Sequence, residues 1–257
     1  MPEALYRQIA EDLRLKIESG ALGPGGRLPT EAELMEQYGA SRNTIRDAMR
    51  WLITRGLVET HAGRGTFVVE KIEPLVTTLS ADPETGLGGG EGTAYGTEII
   101  AQGREPRSTV PRIEIQQAAD AIAAELLLPE GAPVVGRYQR RYVDHTPWSI
   151  QTSYYPMSLV SDGAQRLIEA ATIEPGTVSY VTETLGFRQV GYRDQIRVRV
   201  PDAEEAAFFK LPDDGRVAVF ETFRTAFDER GRPFRLTISV FPTDRNRFVI
   251  NAGEIPA

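Results

Sequence analysis

The chain has 257 residues, about the length of two ordinary domains, and 25% of them are charged. It has no cysteine and only two histidines, His61 and His145, far apart. A disulfide framework, a thiol nucleophile and a zinc-thiolate centre are therefore excluded, and neither a His-based metal site nor a cofactor is expected. The net charge of −7 argues against a general polyanion coat, no apolar run reaches the roughly 18 residues of a membrane-spanning helix, and no signal peptide opens the chain. A soluble, cytoplasmic protein with no membrane partner is expected.

Residues 3–19 predict a helix whose buried line is Leu5, Ile9, Leu13 and Ile17. Glycines and a proline break the chain over 19–26. Thr30 and Glu33 then form a capping box that opens a short helix with Leu34, Met35 and Tyr38 inward. Gly39 and Ala40 make a tight turn into Ser41, a good N-cap for the next helix. That helix has two incompatible faces. Ile45, Ala48, Met49, Leu52 and Ile53 recur at helical spacing as an apolar stripe, while Arg42, Arg46 and Arg50 stand four apart on another side, with Asn43 and Thr44 in the first turn. Taken alone, this is an amphipathic helix with a solvated charged face. Its neighbours point further: a helix, a short turn with glycine and a second helix make the helix-turn-helix layout. After Gly56, strands over 57–60 and 66–69 flank a turn over 62–65, a wing with Arg64 between glycines at its tip. Arg can bond guanine O6/N7 bidentately, Asn can do so to adenine, and Thr can meet a thymine methyl or a phosphate. From Ser41 to Thr66 the balance is +3 in an otherwise acidic chain, which suits a site-specific DNA binder.

Glycine-rich residues 70–92 read as a flexible linker, with the domain boundary near 70–76. Gly88, Gly89 and Gly90 lack the preceding strand and following Lys-Ser/Thr of a phosphate-cradling loop. Beyond them the sequence predicts a helix over 93–103, a strand over 108–115, a helix over 116–128, and strands over 134–143 and 148–155 joined by a turn at 144–147. Short helices follow within 169–186, then a strand over 187–200, a capped helix over 202–210, and strands over 216–227 and 234–241. Hairpins interspersed with helices indicate an α+β domain on an antiparallel sheet. The stretches Leu127-Leu-Pro-Glu-Gly131 and Leu211-Pro-Asp-Asp-Gly215 each stand between a helix and a hairpin, which suggests an internal duplication.

Five short motifs in order, from Leu5-Tyr-Arg-Gln-Ile9 through Gly26-Arg-Leu-Pro-Thr-Glu31, Ser41-Arg-Asn-Thr-Ile-Arg46 and Leu57-Val-Glu59 to Gly63-Arg-Gly-Thr-Phe-Val68, resemble the winged helix-turn-helix of the GntR regulators. The resemblance implies DNA contacts from Ser41, Arg42, Asn43, Thr44 and Arg46 of the recognition helix and from Gly63 and Arg64 of the wing, with Arg27 and Thr30 near phosphates. Ala32 stands where the family often has a basic residue. Residues 93–250 resemble, more loosely, the UTRA domain of the HutC branch, whose fold is similar to chorismate lyase, through Arg140-Arg-Tyr-Val143, Thr152-Ser-Tyr-Tyr-Pro156 and Asp244-Arg-Asn-Arg-Phe248. It implies an effector site drawn from Arg140, Tyr142, Gln151, Ser153, Tyr155, Arg235 and Phe241, with Arg140 at the position of a common anion-binding Arg. Tyr142 stands where a second Arg is frequent, and Gln151 and Arg235 stand where Glu is frequent, which favours a more acidic or non-amine ligand over a usual sugar phosphate.

Two domains are thus expected: a winged helix-turn-helix over 1–72, a flexible linker over 73–92, and an effector-binding and dimerisation domain over 93–257. The expected function is a homodimeric transcription factor, a repressor bound to an inverted repeat of double-stranded DNA and released by a small-molecule effector. A constitutive autorepressor with a vestigial pocket is one alternative. An enzyme on a lyase-like fold is another, but no motif sets a nucleophile beside a base, and a non-enzyme is expected.

Overall fold

The computed structural model describes residues 4–61, 63–69, 72–79, 92–212, 215 and 217–250. The chain forms two compact units, residues 1–72 and 73–257.

The first unit comprises helices α1 (Leu5–Glu18), α2 (Glu31–Tyr38) and α3 (Arg42–Thr54), then strands β1 (Val58–His61) and β2 (Gly65–Val68). The local signals do what their chemistry dictates. Thr30 caps α2 by accepting from the Glu33 backbone N–H at 3.3 Å, while Glu33 reaches back to the Thr30 N–H at 2.7 Å. Gly39 ends α2 at φ 59°, a left-handed turn that glycine adopts without a Cβ clash. Ser41 caps α3 by accepting from the Thr44 N–H at 3.2 Å. The apolar stripe of α3 (Ile45, Ala48, Met49 and Leu52) is buried against Ile9 and Leu13 of α1, Leu34 of α2, and Val58 and Val68 of the hairpin. β1 and β2 pair from Val58↔Val68 to His61↔Gly65, and residues 26–28 are stitched alongside by Leu28 N–H to Thr66 O and Val68 N–H to Gly26 O, both 2.8 Å.

The second unit is built on a seven-stranded antiparallel sheet of β4 (Pro106–Ser108), β5 (Arg112–Gln117), β6 (Pro133–Val143), β7 (Thr146–Pro156), β8 (Gln189–Arg199), β9 (Val219–Asp228) and β10 (Pro233–Pro242). The strand order is β4-β6-β7-β10-β9-β8, with β5 also on β6. Around it lie α4 (Gly92–Ala101), α5 (Asp120–Glu125), α6 (Met157–Ser161), a 3-10 turn (Gln165–Ile168), α7 (Thr177–Leu185) and α8 (Ala203–Phe209). The succession β5-α5-β6-β7 recurs as β8-α8-β9-β10, and the two hairpins meet at β7 and β10. This is the arrangement that the repeated helix-to-hairpin stretches foreshadow.

The two faces of the sheet differ in chemistry. Leu236, Val134, Ile150 and Val240 of one face pack under Ile122 and Leu126 of α5 and Phe209 of α8. The opposite face is polar in its middle, with Arg137, Arg141, Ser149, Ser153, Thr222, Arg224, Arg235, Thr237 and Ser239 all buried. It is apolar where Tyr155, Ala226 and Phe234 meet Leu167, Val178 and Val181. Burying polar groups is costly unless each finds a partner, and here Arg137 finds backbone carbonyls, Arg224 finds Asp194 and Ser153 finds Thr237.

Several elements depart from the sequence expectation. The strand foreseen over 108–115 is two strands broken at Pro111, and β5 runs on to Gln117, so the helix foreseen over 116–128 shrinks to Asp120–Glu125. The backbone of Arg112 to Gln117 is held by β6, which takes Gln116 and Gln117 from the expected helix, while Ile122 and Ala123 keep their buried helical places in α5. Within the expected linker, Leu75–Thr78 forms β3, paired in parallel with β11 (Asn246–Val249), and Leu75 and Thr77 are buried. The glycines Gly88, Gly89 and Gly90 lie outside the described residues.

Candidate nucleic-acid interface and ligand cavity

Between α2, α3 and the wing runs a groove of about 570 Å³ lined by Arg27, Thr30, Glu31, Arg46, Met49, Arg50, Ile53, Thr60, Gly65 and Thr66, with Leu28, Pro29 and Leu34 at its floor. Of the residues expected to contact DNA, Arg27, Thr30 and Arg46 stand in this groove. Arg42 and Asn43 are exposed on the first turn of α3, beside Thr44, whose hydroxyl is 2.8 Å from that of Ser41. Gly63 and Arg64 form the wing turn, where Gly63 takes φ 71° and the Arg64 N–H donates to His61 O at 3.0 Å. Gly65 answers a second demand. At φ 114°, a Cβ there would lie 2.8 Å from Arg27 Nε, so the absent side chain lets Arg27 lie across the wing.

The arginines of this surface are not equivalent. Arg50 pairs with Asp47 at 3.0 Å, and Arg55 stacks on Trp51 with its guanidinium carbon 3.6 Å from the ring centroid. Arg46 donates through Nε to both oxygens of Glu31, at 3.2 and 3.3 Å. Glu31 is the member of this surface that the sequence reading missed. It lies 15 positions from Arg46, and no local spacing rule links the two.

In the second unit, a cavity of about 420 Å³ sits on the polar face of the sheet. Arg137, Gln139 and Arg141 of β6, Gln151, Ser153 and Tyr155 of β7, and Arg235 of β10 form its floor, and residues 172–178 close it from above. Gln151 donates to Ser153 at 3.2 Å, and the Ser153 and Thr237 hydroxyls are 3.0 Å apart. The three guanidiniums play different parts. Arg137 donates to the carbonyls of Arg166, Leu167, Glu169 and Ala171 at 2.7–3.2 Å, clasping the 3-10 turn and the loop after it. Arg141 lies with its guanidinium carbon 4.3 Å from the Tyr95 ring centroid, and Tyr95 is buried on α4. Arg235 is 3% exposed, and burial pulls its pKa down to about 10. Burial likewise lowers Arg141, against the pull of the Tyr95 hydroxyl, and raises the Tyr155 hydroxyl. Glu174 is the one acid among the described lining residues.

Gln151, Ser153, Tyr155 and Arg235 thus share one cavity. Arg140, Tyr142 and Phe241, expected at the same site, do not line it. Side chains alternate along a strand, so Arg137, Gln139 and Arg141 face the cavity and Tyr138 and Arg140 face away. Arg140 instead donates to Tyr138 at 3.0 Å and to Glu204 at 2.8 Å, and Tyr142 packs edge-on to Phe208 with centroids 5.6 Å apart. Phe241 shares the face of Arg235 but lies against Phe248 of β11, 5.3 Å between centroids. The residues missed are Arg137 and Arg141, and the period-2 pattern of Arg137, Gln139 and Arg141 was the available signal. Among the described residues no group of three or more His, Asp or Glu is placed to hold a metal ion, and no helix is long and apolar enough to cross a membrane.

Residues 5–68 match the family described as bacterial regulatory proteins, gntR family, and residues 101–247 match the UTRA domain. The chain is 29% identical over 252 residues to an uncharacterised HTH-type transcriptional regulator of Rhizobium meliloti (strain 1021), covering 95% of this chain and 93% of that protein. It is 24% identical to the HTH-type transcriptional repressor NagR of Bacillus subtilis (strain 168), covering 96% and 94%. Its fold is similar to the crystal structure of PhnF from Mycobacterium smegmatis, with a TM-score of 0.58, 22% identity, and 95% and 99% of the two chains covered.

Proposed function

The chain belongs to the GntR family of bacterial regulatory proteins, in its HutC-type architecture with a UTRA domain, and from that premise we propose that it is a homodimeric, effector-released repressor. Residues 1–72 read a half-site of an inverted repeat, and residues 93–257 bind the effector and dimerise. α3 enters the major groove with Arg42, Asn43, Thr44 and Arg46 toward base edges and Ser41 at its start, Arg27 and Thr30 lie near phosphates, and Gly63 and Arg64 reach the adjacent groove. The observation that carries this is the groove between α3 and the wing, where Arg27, Thr30 and Arg46 converge beside the exposed first turn of α3.

The effector is a small molecule with an anionic group, seated on Gln151, Ser153, Tyr155, Arg141 and Arg235. Burial depresses the pKa of Arg141 and Arg235, so each holds its charge at a cost that a bound anion offsets. Gln151 and Ser153 supply donors and acceptors for its uncharged part. Binding selects a state of the dimer with altered spacing of its DNA-reading heads, and half-site spacing is geometrically strict. The repressor reading is supported by the NagR relative, itself named a repressor. The protein acts in the cytoplasm, where the DNA is, and it turns nothing over.

The test is a release assay with the full chain on duplex DNA from upstream of its own gene. A panel of sugar phosphates, phosphonates and polycarboxylates is added, and thermal midpoints are recorded in parallel. The reading expects at least one anion both to raise the midpoint and to weaken DNA binding. A panel with no effect on either would leave the second unit as a dimeriser and the protein as a constitutive repressor.

A further inference from the structure

The DNA-facing groove contains a carboxylate, which ought to be unwelcome there. Glu31 is the one acid among its described lining residues, and its side chain is 44% exposed. An acid in the first turn of a helix is ordinary, because it complements the partial positive charge of that end. Glu33 already fulfils this as part of the capping box, where its carboxylate accepts from the backbone N–H and the hydroxyl of Thr30. Glu31 points elsewhere, to Arg46 on the next helix, and both its oxygens accept from Nε.

The choice of nitrogen matters. A guanidinium that reads guanine bidentately presents two of its N–H groups in parallel to O6 and N7. Arg46 engages Glu31 through Nε, and its Nη1 and Nη2 make no bond to the described residues. Its side chain is 56% exposed and would otherwise sample many rotamers. Held at Nε, the guanidinium plane is fixed while its two terminal nitrogens stay available.

We infer that Glu31 is a specificity-determining positioning residue, which orients Arg46 for base reading and costs general DNA affinity by its charge. This rests on the proposal that Arg46 reads a base. It makes two opposite predictions for one substitution. Removing Glu31 relieves repulsion of phosphates, so binding to any DNA holds or strengthens. Removing it also frees Arg46, so discrimination falls.

The experiment uses the full chain, with an operator selected by the wild type from random-sequence duplexes, the same duplex with each G·C pair replaced in turn, and a scrambled duplex. Glu31→Ala is expected to bind scrambled DNA at least as tightly as the wild type. Its operator-to-scrambled ratio should fall about tenfold, at the G·C pair to which Arg46→Ala has become indifferent. In the Arg46→Ala background, Glu31→Ala should leave the ratio unchanged, and the thermal midpoint should hold throughout. A Glu31→Ala protein with the full wild-type ratio would overturn the inference while leaving the reading by Arg46 intact. An equal loss in the Arg46→Ala background would also overturn it, since Glu31 would then act through another group. A wild type that selects no sequence would overturn the DNA-reading proposal and this inference together.

Discussion

Arg140 and Arg141 are neighbours in sequence and opposites in space, which separates two accounts of effector binding. Arg141 lies in the cavity against Tyr95, while Arg140 holds Tyr138 and Glu204 on the other face. Arg141→Met should abolish the thermal shift given by an effector anion. Arg140→Ala should keep that shift and alter stability by no more than about 1 kcal/mol, the worth of an exposed ion pair. The reverse result would place the ligand on the far face of the sheet. The same parity explains what was legible at this scale. Gln151, Ser153 and Tyr155, named through the family resemblance, share one alternation and line one cavity with Arg235, but nothing in Arg140-Arg141 itself says which of the two turns inward. Long-range pairing with β7 settles it, and local sequence does not contain that pairing.

A second residue-scale prediction concerns pH. Burial raises the Asp228 carboxyl, but the N–H groups of Arg232 and Arg230 and the Arg232 guanidinium outweigh it, so its pKa lies below the ordinary value. Those bonds measure 2.8, 3.0 and 2.8 Å and close the β9–β10 turn. A carboxyl depressed in this way adds stability that is complete above its unfolded pKa of about 3.9 and is lost as pH falls through the folded value. Asp228→Asn should therefore be less stable than the wild type at pH 7 in urea unfolding, with the gap closing as pH drops below about 4. A gap that stays constant would assign Asp228 a purely steric part.

At the scale of elements, strong local signals gave reliable structure. Thr30 with Glu33, and Asp202 with Glu205, both form complete capping boxes, and the helices they open lie within a residue of their expected starts. Asp202→Ala should cost about 1 kcal/mol in chemical unfolding. A change near zero would mean that packing of Phe209 alone fixes α8. Where signals were non-local, the sequence misled. Leu75–Thr78 looked like linker because its partner, Asn246–Val249, stands far along the chain, and a parallel pairing leaves no hairpin signature between the two. The segment from Arg112 to Glu125 satisfied both a strand and a helical pattern, and pairing with β6 claimed its first half. The helix-turn-helix was legible because it consists of adjacent helices with caps at their starts, and each is specified by its own residues.

At the scale of the whole molecule, the chain joins two devices. One is a basic helix whose apolar stripe is locked in a small core, leaving Arg42, Asn43 and Arg46 outward. The other is a sheet face where buried arginines replace an apolar core. A family regulator with a winged helix and a UTRA domain needs both: a surface that reads DNA and a cavity that can be filled. Homodimerisation would place two reading heads on an inverted repeat, with half-sites about 34 Å apart or a multiple of that. The most direct test of the central claim is binding of the full chain to duplex DNA from immediately upstream of its own gene. A scrambled duplex and the Arg46→Ala variant are run beside it at near-physiological salt. The account predicts tight binding to the upstream duplex alone, weakened in the variant by about 1–3 kcal/mol for each lost base contact. Binding that is weak, indifferent to sequence and unchanged by Arg46→Ala would contradict it.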